Sequence, residues 1–554
     1  MPPVDTASLS SIDALLQPFN LGDAPGIIVG VARDGQCIYR RGVGMACIEQ
    51  GVAMAPRTRV RIASTSKHFT SVAVLLLAEQ GRLHPDDLIY QHLPELAPLH
   101  PAGPTLRQLM QHTGGWRTDL AAITQGLAIE PVADWTQPMP AMPRALNFEP
   151  GSRMIYSNTG YQLLARVIER ISGQRYEDFL RERIFAPLGM NDTESLGSDF
   201  DVRPGMALQY QVLPAAAGGG LRRGMYPAEL RGSGSLVSTV DDMLRWLAHL
   251  RSPVKTVGSA DSWAQMLALP TLSTGTALPY ALGLFRHPYR GVEVIHHSGA
   301  VLGATSQMIT VPEQQLDVMI MVNGAAVSPV ALGFQIIDAL LGEAHLGPPT
   351  EHLPTTAHAA LPGHRYHAAQ TGALLAFEDL AGKLGMTWFA SGAAPLRRVG
   401  DQAVLACEDT ALNPVLIDLE QLRGEAAPAT ITISDGGHLL RCERLPATAP
   451  DLPLGELVGT YGAPELGVEV RVEPDGDSIT LRLHGAHGRN AYRLRALSAD
   501  VLLAEPLDPL FAALGGRGVV NVDREAGRVV GFRLDATRMR HLRFVRTPEQ
   551  GAGA

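Results

Sequence analysis

A chain of 554 residues exceeds the roughly 250–300 residues at which a single hydrophobic core stops growing, so two or three domains are expected. With 45% hydrophobic and 18% charged residues, the composition is that of a globular protein and excludes a disordered or fibrous one. A net charge of -9, with no basic run and no basic–aromatic stripe, argues against a nucleic-acid partner.

The N-terminal MPPVDTASLSSIDALLQPF has no basic start and no unbroken apolar run, which argues against a secretory signal. Apolar stretches such as VAVLLLA (73–79) fall far short of the ~20 residues that cross a bilayer, so no membrane is expected. The four cysteines, Cys37, Cys47, Cys407 and Cys442, are scattered without metal-ligand spacing. They read as reduced structural thiols of a cytoplasmic protein.

Up to about residue 345, strand and helix patterns alternate. GIIVGVARDGQCIYRRGVG reads as two strands joined by an Asp-Gly turn. A helix begins after Ser64 and stops at Gly81, and others are predicted in TLRQLMQHTGG and NTGYQLLARVIERISG. STVDDMLRWLAHL predicts a further helix, with Ser238 or Thr239 as its N-cap. VEVIHHSG and TSQMITVPEQQLDVMIMVN then return to strands before a closing helix around FQIIDALLG. Hairpins at both ends with helices between them predict an α/β (α+β) sandwich, an antiparallel sheet flanked by helices.

The Pro-rich LGPPTEHLPTTAHAALP marks a linker, after which the pattern turns to short alternating runs with Gly and Asp turns. A second linker, LPATAPDLPLGE, separates two segments that each place a Tyr and a Gly before an apolar strand. The expected domains are therefore 1–345, then two all-β units at 357–445 and 455–554.

RIASTSKHFT (61–70) carries the chemistry. The chain has only three lysines, Lys67, Lys255 and Lys383, yet one stands three residues after Ser64 at a helix start. Side chains at i and i+3 share a helix face. Arginine stays protonated, whereas a desolvated lysine can give up its proton near neutral pH. A serine needs such an adjacent base before it attacks a carbonyl. SPVK (252–255) has the same spacing, but Pro253 and the lack of an apolar helix make it a surface loop.

Two later segments fit the same chemistry. Tyr156 in FEPGSRMIYSNTGYQLL offers a proton relay beside a lysine, and Asn158 offers an amide donor and acceptor for a substrate. In HHSGAVLG, His297 and Gly299 end a predicted strand, where the glycine lets a substrate backbone lie close. Each alone is an ordinary packed Tyr, His or strand Gly.

In this order, Ser64/Lys67, Tyr156/Asn158 and His297/Gly299 resemble the Ser-x-x-Lys, Tyr-x-Asn and His-x-Gly pattern of the serine penicillin-recognising family. That family spans class C β-lactamases, DD-peptidases and their esterase and amidase relatives. LRQLMQHTGG and GSLVSTVDDML resemble its secondary motifs. Within it the likeness is to the bacterial D-aminopeptidases, a branch with the His variant and two antiparallel, lipocalin-like β-barrel domains after the catalytic one.

The resemblance implies a serine hydrolase working through an acyl-enzyme, in which Ser64 attacks, Lys67 takes its proton and Tyr156 passes it on. His297 completes the catalytic set. The backbone N–H groups of Ser64 and Ala300 would form the oxyanion hole, each such donor worth about 3–4 kcal/mol in the transition state. EPLDPLFAALGGRG (505–518) is the expected counterpart of a recognition loop, with Asp508 as the contact for a substrate ammonium. An aminopeptidase releasing N-terminal D-amino acids from peptides or amides is the leading activity. A carboxylesterase or amidase, or a DD-peptidase or β-lactamase, is the alternative. A histidine at 297 is at most partly charged, which favours substrates with no carboxylate at that point. The expected partner is a small peptide, amide or ester substrate, with a homodimer left open and no metal or organic cofactor needed.

Overall fold

The protein is described by a computed structural model covering residues 6–96, 103–117, 146–215, 218–225, 230–406, 414–447, 454–463, 468–476, 478–485, 488–513 and 516–548. The chain forms two units, Met1–Gly114 with Asn158–Pro349, and Gly115–Ser157 with Thr350–Ala554. Cys407 and residues 448–453 of the second linker lie outside the described residues.

The first unit is built on a six-stranded antiparallel sheet. Strands β1 (Ile27–Arg33) and β2 (Gln36–Val43) form the expected hairpin, with Asp34 and Gly35 both at positive φ, +53° and +75°. That pair of left-handed residues matches the twist of the strands it joins. β3 (Phe285–Tyr289), β4 (Val292–Val301), β5 (Ala304–Val311) and β6 (Leu316–Val322) complete the order β3-β4-β5-β6-β1-β2. β1 and β6 are central, so both their faces are buried and they read as unbroken apolar runs rather than alternating ones.

Helices α1 (Thr6–Leu16) and α7 (Pro329–His345) share one apolar cluster with the odd-numbered face of β1, Ile27, Val29 and Val31. On the other face, Gly30 lies under α5 (Val240–Arg251), and a Cβ there would sit 3.0 Å from that of Val240. Thr239 is the N-cap of α5, its Oγ1 accepting from the amide of Asp242. α2 (Lys67–Glu79) is buried along nearly its whole length and is followed by Gly81 at φ +67°. α3 (Leu106–Met110) opens on a reciprocal capping box between Thr105 and Gln108. α4 (Asn158–Ser172) turns Tyr161, Leu164, Ala165 and Ile168 inward. α6 (Ala260–Leu267) packs Trp263 and Met266 inward.

The described residues of the second unit are mainly β-strand. Strands from Arg365–Ala368 to His438–Arg444 make a nine-stranded antiparallel sheet that approaches a barrel, its outermost strands being Ala394–Pro395 and Arg397–Val399. Eight strands from Gly459–Ala463 to Met539–Arg546 close fully, through pairing of Tyr461 with Arg546 and Gly462 with Val545. Closure removes the exposed strand edges that invite aggregation. The repeat seen in the sequence has a physical counterpart. Tyr366 and Tyr461 each sit fully buried on the first strand of their unit and donate to a backbone carbonyl, of Pro428 and Leu457.

The described residues of Gly115–Ser157 group by contacts with this unit. Asn147 explains the grouping: its Nδ2 donates to Arg538 O and its Oδ1 accepts from Arg540 N, both on the last hairpin. Among the described residues no helix is long and apolar enough to cross a membrane.

Candidate active site

Ser64 stands in a 3-10 turn, Ala63–Ser66, that runs directly into α2. The turn is fastened on two sides. Toward the Leu236–Ser238 strand, Ile62 N donates to Leu236 O, while Ser66 Oγ accepts from Leu236 N and donates to Ala63 O. Toward the main sheet, Ser306 Oγ on β5 lies 2.7 Å from Ile62 O and 3.0 Å from Thr65 Oγ1. Thr65 Oγ1 in turn lies 3.2 Å from the carbonyl of His297 on β4. Ala63 holds φ +48°, a conformation that costs a non-glycine residue about 1 kcal/mol or more and persists only where surroundings impose it.

Lys67 is completely buried, whereas Ser64 is only half-buried. Lys67 Nζ lies 3.1 Å from Ser64 Oγ, 2.9 Å from Asn158 Oδ1 and 2.7 Å from the carbonyl of Ser233. It also sits 5.5 Å from the centroid of the Tyr161 ring. Two fixed acceptors thus hold the amine beside the Ser64 hydroxyl, and an amine in its neutral form has a lone pair able to accept a proton. Asn158, at the start of α4, thus spends its acceptor on the lysine, a use that reading it as a substrate contact did not contain.

Lys255 shows the contrast. It is half-buried, donates to the carbonyls of His249 and Leu250 at the end of α5, and lies against the Trp263 ring. Ser252 Oγ donates to Val254 O instead, so the second Ser-x-x-Lys match is a helix end.

His297 and Gly299 share one face of β4, since side chains alternate along a strand. The reason for the glycine differs from the one expected. A Cβ at 299 would meet Ile62 O at 2.1 Å and Ser306 Oγ at 2.7 Å, so what lies close is the backbone of the Ser64 turn itself. The exposed Ala300 follows directly. His297 is buried, with Nδ1 2.6 Å from Ser298 O and Nε2 3.0 Å from the hydroxyl of Tyr280. Tyr280 also lies 3.2 Å from His112 Nε2. A carbonyl can only accept, so Nδ1 of His297 carries the proton and its Nε2 accepts from Tyr280.

Burial pushes His297 down to about 3. It is therefore neutral across the physiological range and supplies no cation. In the unfolded chain it would titrate near 6.5, so the unfolded state binds more protons below that value. The contribution of His297 to stability is therefore full above pH 6.5 and is lost progressively as pH falls from there toward about 3. Guanidinium unfolding of wild type and His297→Gln at pH 7 and pH 5 is expected to show that component only in wild type.

Tyr156 and Asp508 belong to the second unit. Tyr156 is buried, with the Arg538 guanidinium 4.6 Å from its ring centroid. In sequence it precedes Asn158 by two residues. Asp508 is exposed and caps a short helix, Pro509–Ala513, its Oδ1 accepting from the amides of Leu510 and Phe511. Residues 514 and 515 of the expected recognition loop lie outside the described residues.

Sequence reasoning missed Thr65, Ser233, Tyr280 and Ser306. Ser233 lies just ahead of GSLVSTVDDML and His112 within LRQLMQHTGG, so the segments signalled importance while the individual roles did not show.

This geometry, a serine turn with a buried lysine beside an antiparallel sheet, agrees with the comparisons with known proteins. Residues 12–341 match the Beta-lactamase family, and the chain belongs to that family. A D-aminopeptidase of Cereibacter sphaeroides is 27% identical over 565 residues, covering 98% of this chain and 100% of that one. One from Brucella anthropi is 26% identical over 537 residues, covering 95% and 96%. The octameric penicillin-binding protein homologue from Pyrococcus abyssi aligns with a TM-score of 0.53 at 20% identity, covering 98% of this chain and 100% of that one. The chain is a hydrolase of this family.

Proposed function

We propose that the protein releases N-terminal D-amino acids from peptides or amides through an acyl-enzyme on Ser64. The observation that carries this reading is the Lys67 Nζ–Ser64 Oγ distance of 3.1 Å, with Asn158 and Ser233 O holding the amine. In the reaction, Lys67 takes the Ser64 proton as Oγ attacks the carbonyl. The N–H groups of Ser64 and Ala300 receive the developing oxyanion. Tyr156 passes the proton to the departing amine, and water then hydrolyses the ester. The D-aminopeptidase relatives, similar over nearly the whole chain, support the substrate class.

A neutral His297 supports the same choice, because a fixed cation on β4 is what a free carboxylate at that point would need. The test compares D-alanine p-nitroanilide, its L-enantiomer and a p-nitrophenyl acyl ester. Cleavage of the D-anilide well above the L-anilide is expected. Ester hydrolysis with no D/L preference on the anilides would make the protein a carboxylesterase.

A further inference from the structure

Three consecutive backbone carbonyls, at residues 232–234, each accept from a side chain of the Ser64 segment. Gly232 O accepts from Thr70 Oγ1 at 2.7 Å, Ser233 O from Lys67 Nζ at 2.7 Å, and Gly234 O from Arg61 Nη2 at 3.2 Å. Lys67 and Thr70 stand three residues apart, so they share a face of α2. A threonine inside a helix commonly returns its hydroxyl to the carbonyl one turn back. Thr70 instead spends its hydrogen on a different segment of the chain.

The Thr70 hydroxyl is itself held from behind. The Tyr176 hydroxyl lies 2.7 Å from Thr70 Oγ1. A carbonyl only accepts, so the single Thr70 proton goes to Gly232 O and Tyr176 is the donor to Thr70. Burial pushes the Tyr176 hydroxyl up, which keeps its proton in place. Both side chains are completely buried. The turn they reach has little freedom. Ser233 N and Gly234 N both donate to Leu230 O. Gly232 holds φ +78°, and a Cβ there would meet Tyr161 O at 2.2 Å. Arg61, at the far end, is locked to Asp199 in a buried ion pair with Nη1 2.6 Å from Oδ1.

We propose that Thr70 is a positioning residue for Lys67, fixing the 232–233 backbone so that the Ser233 carbonyl is aimed at the amine. The inference rests on the acyl-enzyme reading for the role of Lys67 as base. Thr70 acts through Gly232 O, one peptide away from the carbonyl that holds Nζ. With valine at 70, Gly232 O and the Tyr176 hydroxyl lose their shared partner in the interior, a cost that drives the turn to shift. Ser233 O shifts with it.

The test follows two rates in the full-length protein: phosphonylation of Ser64 by a fluorophosphonate, read by intact mass, and turnover of D-alanine p-nitroanilide. Thr70→Val is expected to slow both about tenfold or more, with KM changed by less than about twofold. Thr70→Ser, which keeps the hydroxyl, restores most of the rate. Ile337→Val, a truncation in the apolar cluster beneath the sheet, lowers the melting temperature and leaves kcat unchanged, which separates positioning from stability. Crystals of Thr70→Val are expected to show Ser233 O out of hydrogen-bond reach of Lys67 Nζ. Wild-type rates in Thr70→Val, a rise in KM alone, or a loss that serine does not rescue would overturn the proposal. An unchanged 2.7 Å contact in those crystals would do the same. If Thr70→Val slows phosphonylation but the wild type turns over no amide or ester, the hydrolase reading fails instead and the positioning role stands.

Discussion

Lys67→Arg is expected to lower kcat by about 10³-fold or more while the protein stays folded, the scale of loss when a positioned base is removed. Arginine keeps a positive charge within reach of the same acceptors, Asn158 Oδ1 and Ser233 O, but cannot accept the Ser64 proton. The substitution therefore separates two roles for a buried cation. If residue 67 served only to position Ser64 electrostatically, arginine would retain substantial turnover. Thermal melts of the two proteins show whether a loss is chemical or structural, and single-turnover acylation shows which step fails.

The second large effect is expected from a single methyl group. Gly299→Ala places a Cβ 2.1 Å from Ile62 O and 2.7 Å from Ser306 Oγ, closer than real contacts allow. The nearest neighbour, Ile62 O, is backbone, so strand and turn must move apart. Overpacking of this kind costs about 1–3 kcal/mol of stability. A displacement near 1 Å of the Ser64 turn relative to the Ala300 amide lowers turnover about 100-fold. The pattern to look for is a modest fall in melting temperature with a large fall in kcat. Ser306→Ala, which removes the contacts to Ile62 O and Thr65 Oγ1 and adds no bulk, is expected to cost less on both counts.

What the sequence revealed and what it hid follow from how local each feature is. The i,i+3 spacing of Ser64 and Lys67, the Asp34-Gly35 turn and the Thr239 cap are encoded within four residues, and all three stand as read. The strand order is not local: β1 lies beside β6, with nearly 300 residues between them, because both are uniformly apolar strands that must be central. Ser233 acts through its carbonyl, which no side chain announces. Tyr280 and His112 meet across 168 residues, and neither segment alone distinguishes a relay from core packing. Gly299 was legible as a glycine needed for close approach, but not which backbone approaches it.

The Ser64 turn joins these observations. Its strain at Ala63 and its ties to Leu236 and Ser306 place a hydroxyl within 3.1 Å of a buried amine that is already held in position. Preorganisation of this kind spares the reorganisation that the same groups would undergo in water.

The most direct measurement is to trap the reaction with a D-alanyl p-nitrophenyl ester, quench in acid, and read intact mass followed by peptide mapping. One acyl group on the peptide containing Ser64, absent in Ser64→Ala, is the result expected. Turnover of the ester that persists in Ser64→Ala, or acyl groups mapping to another residue, would contradict the account.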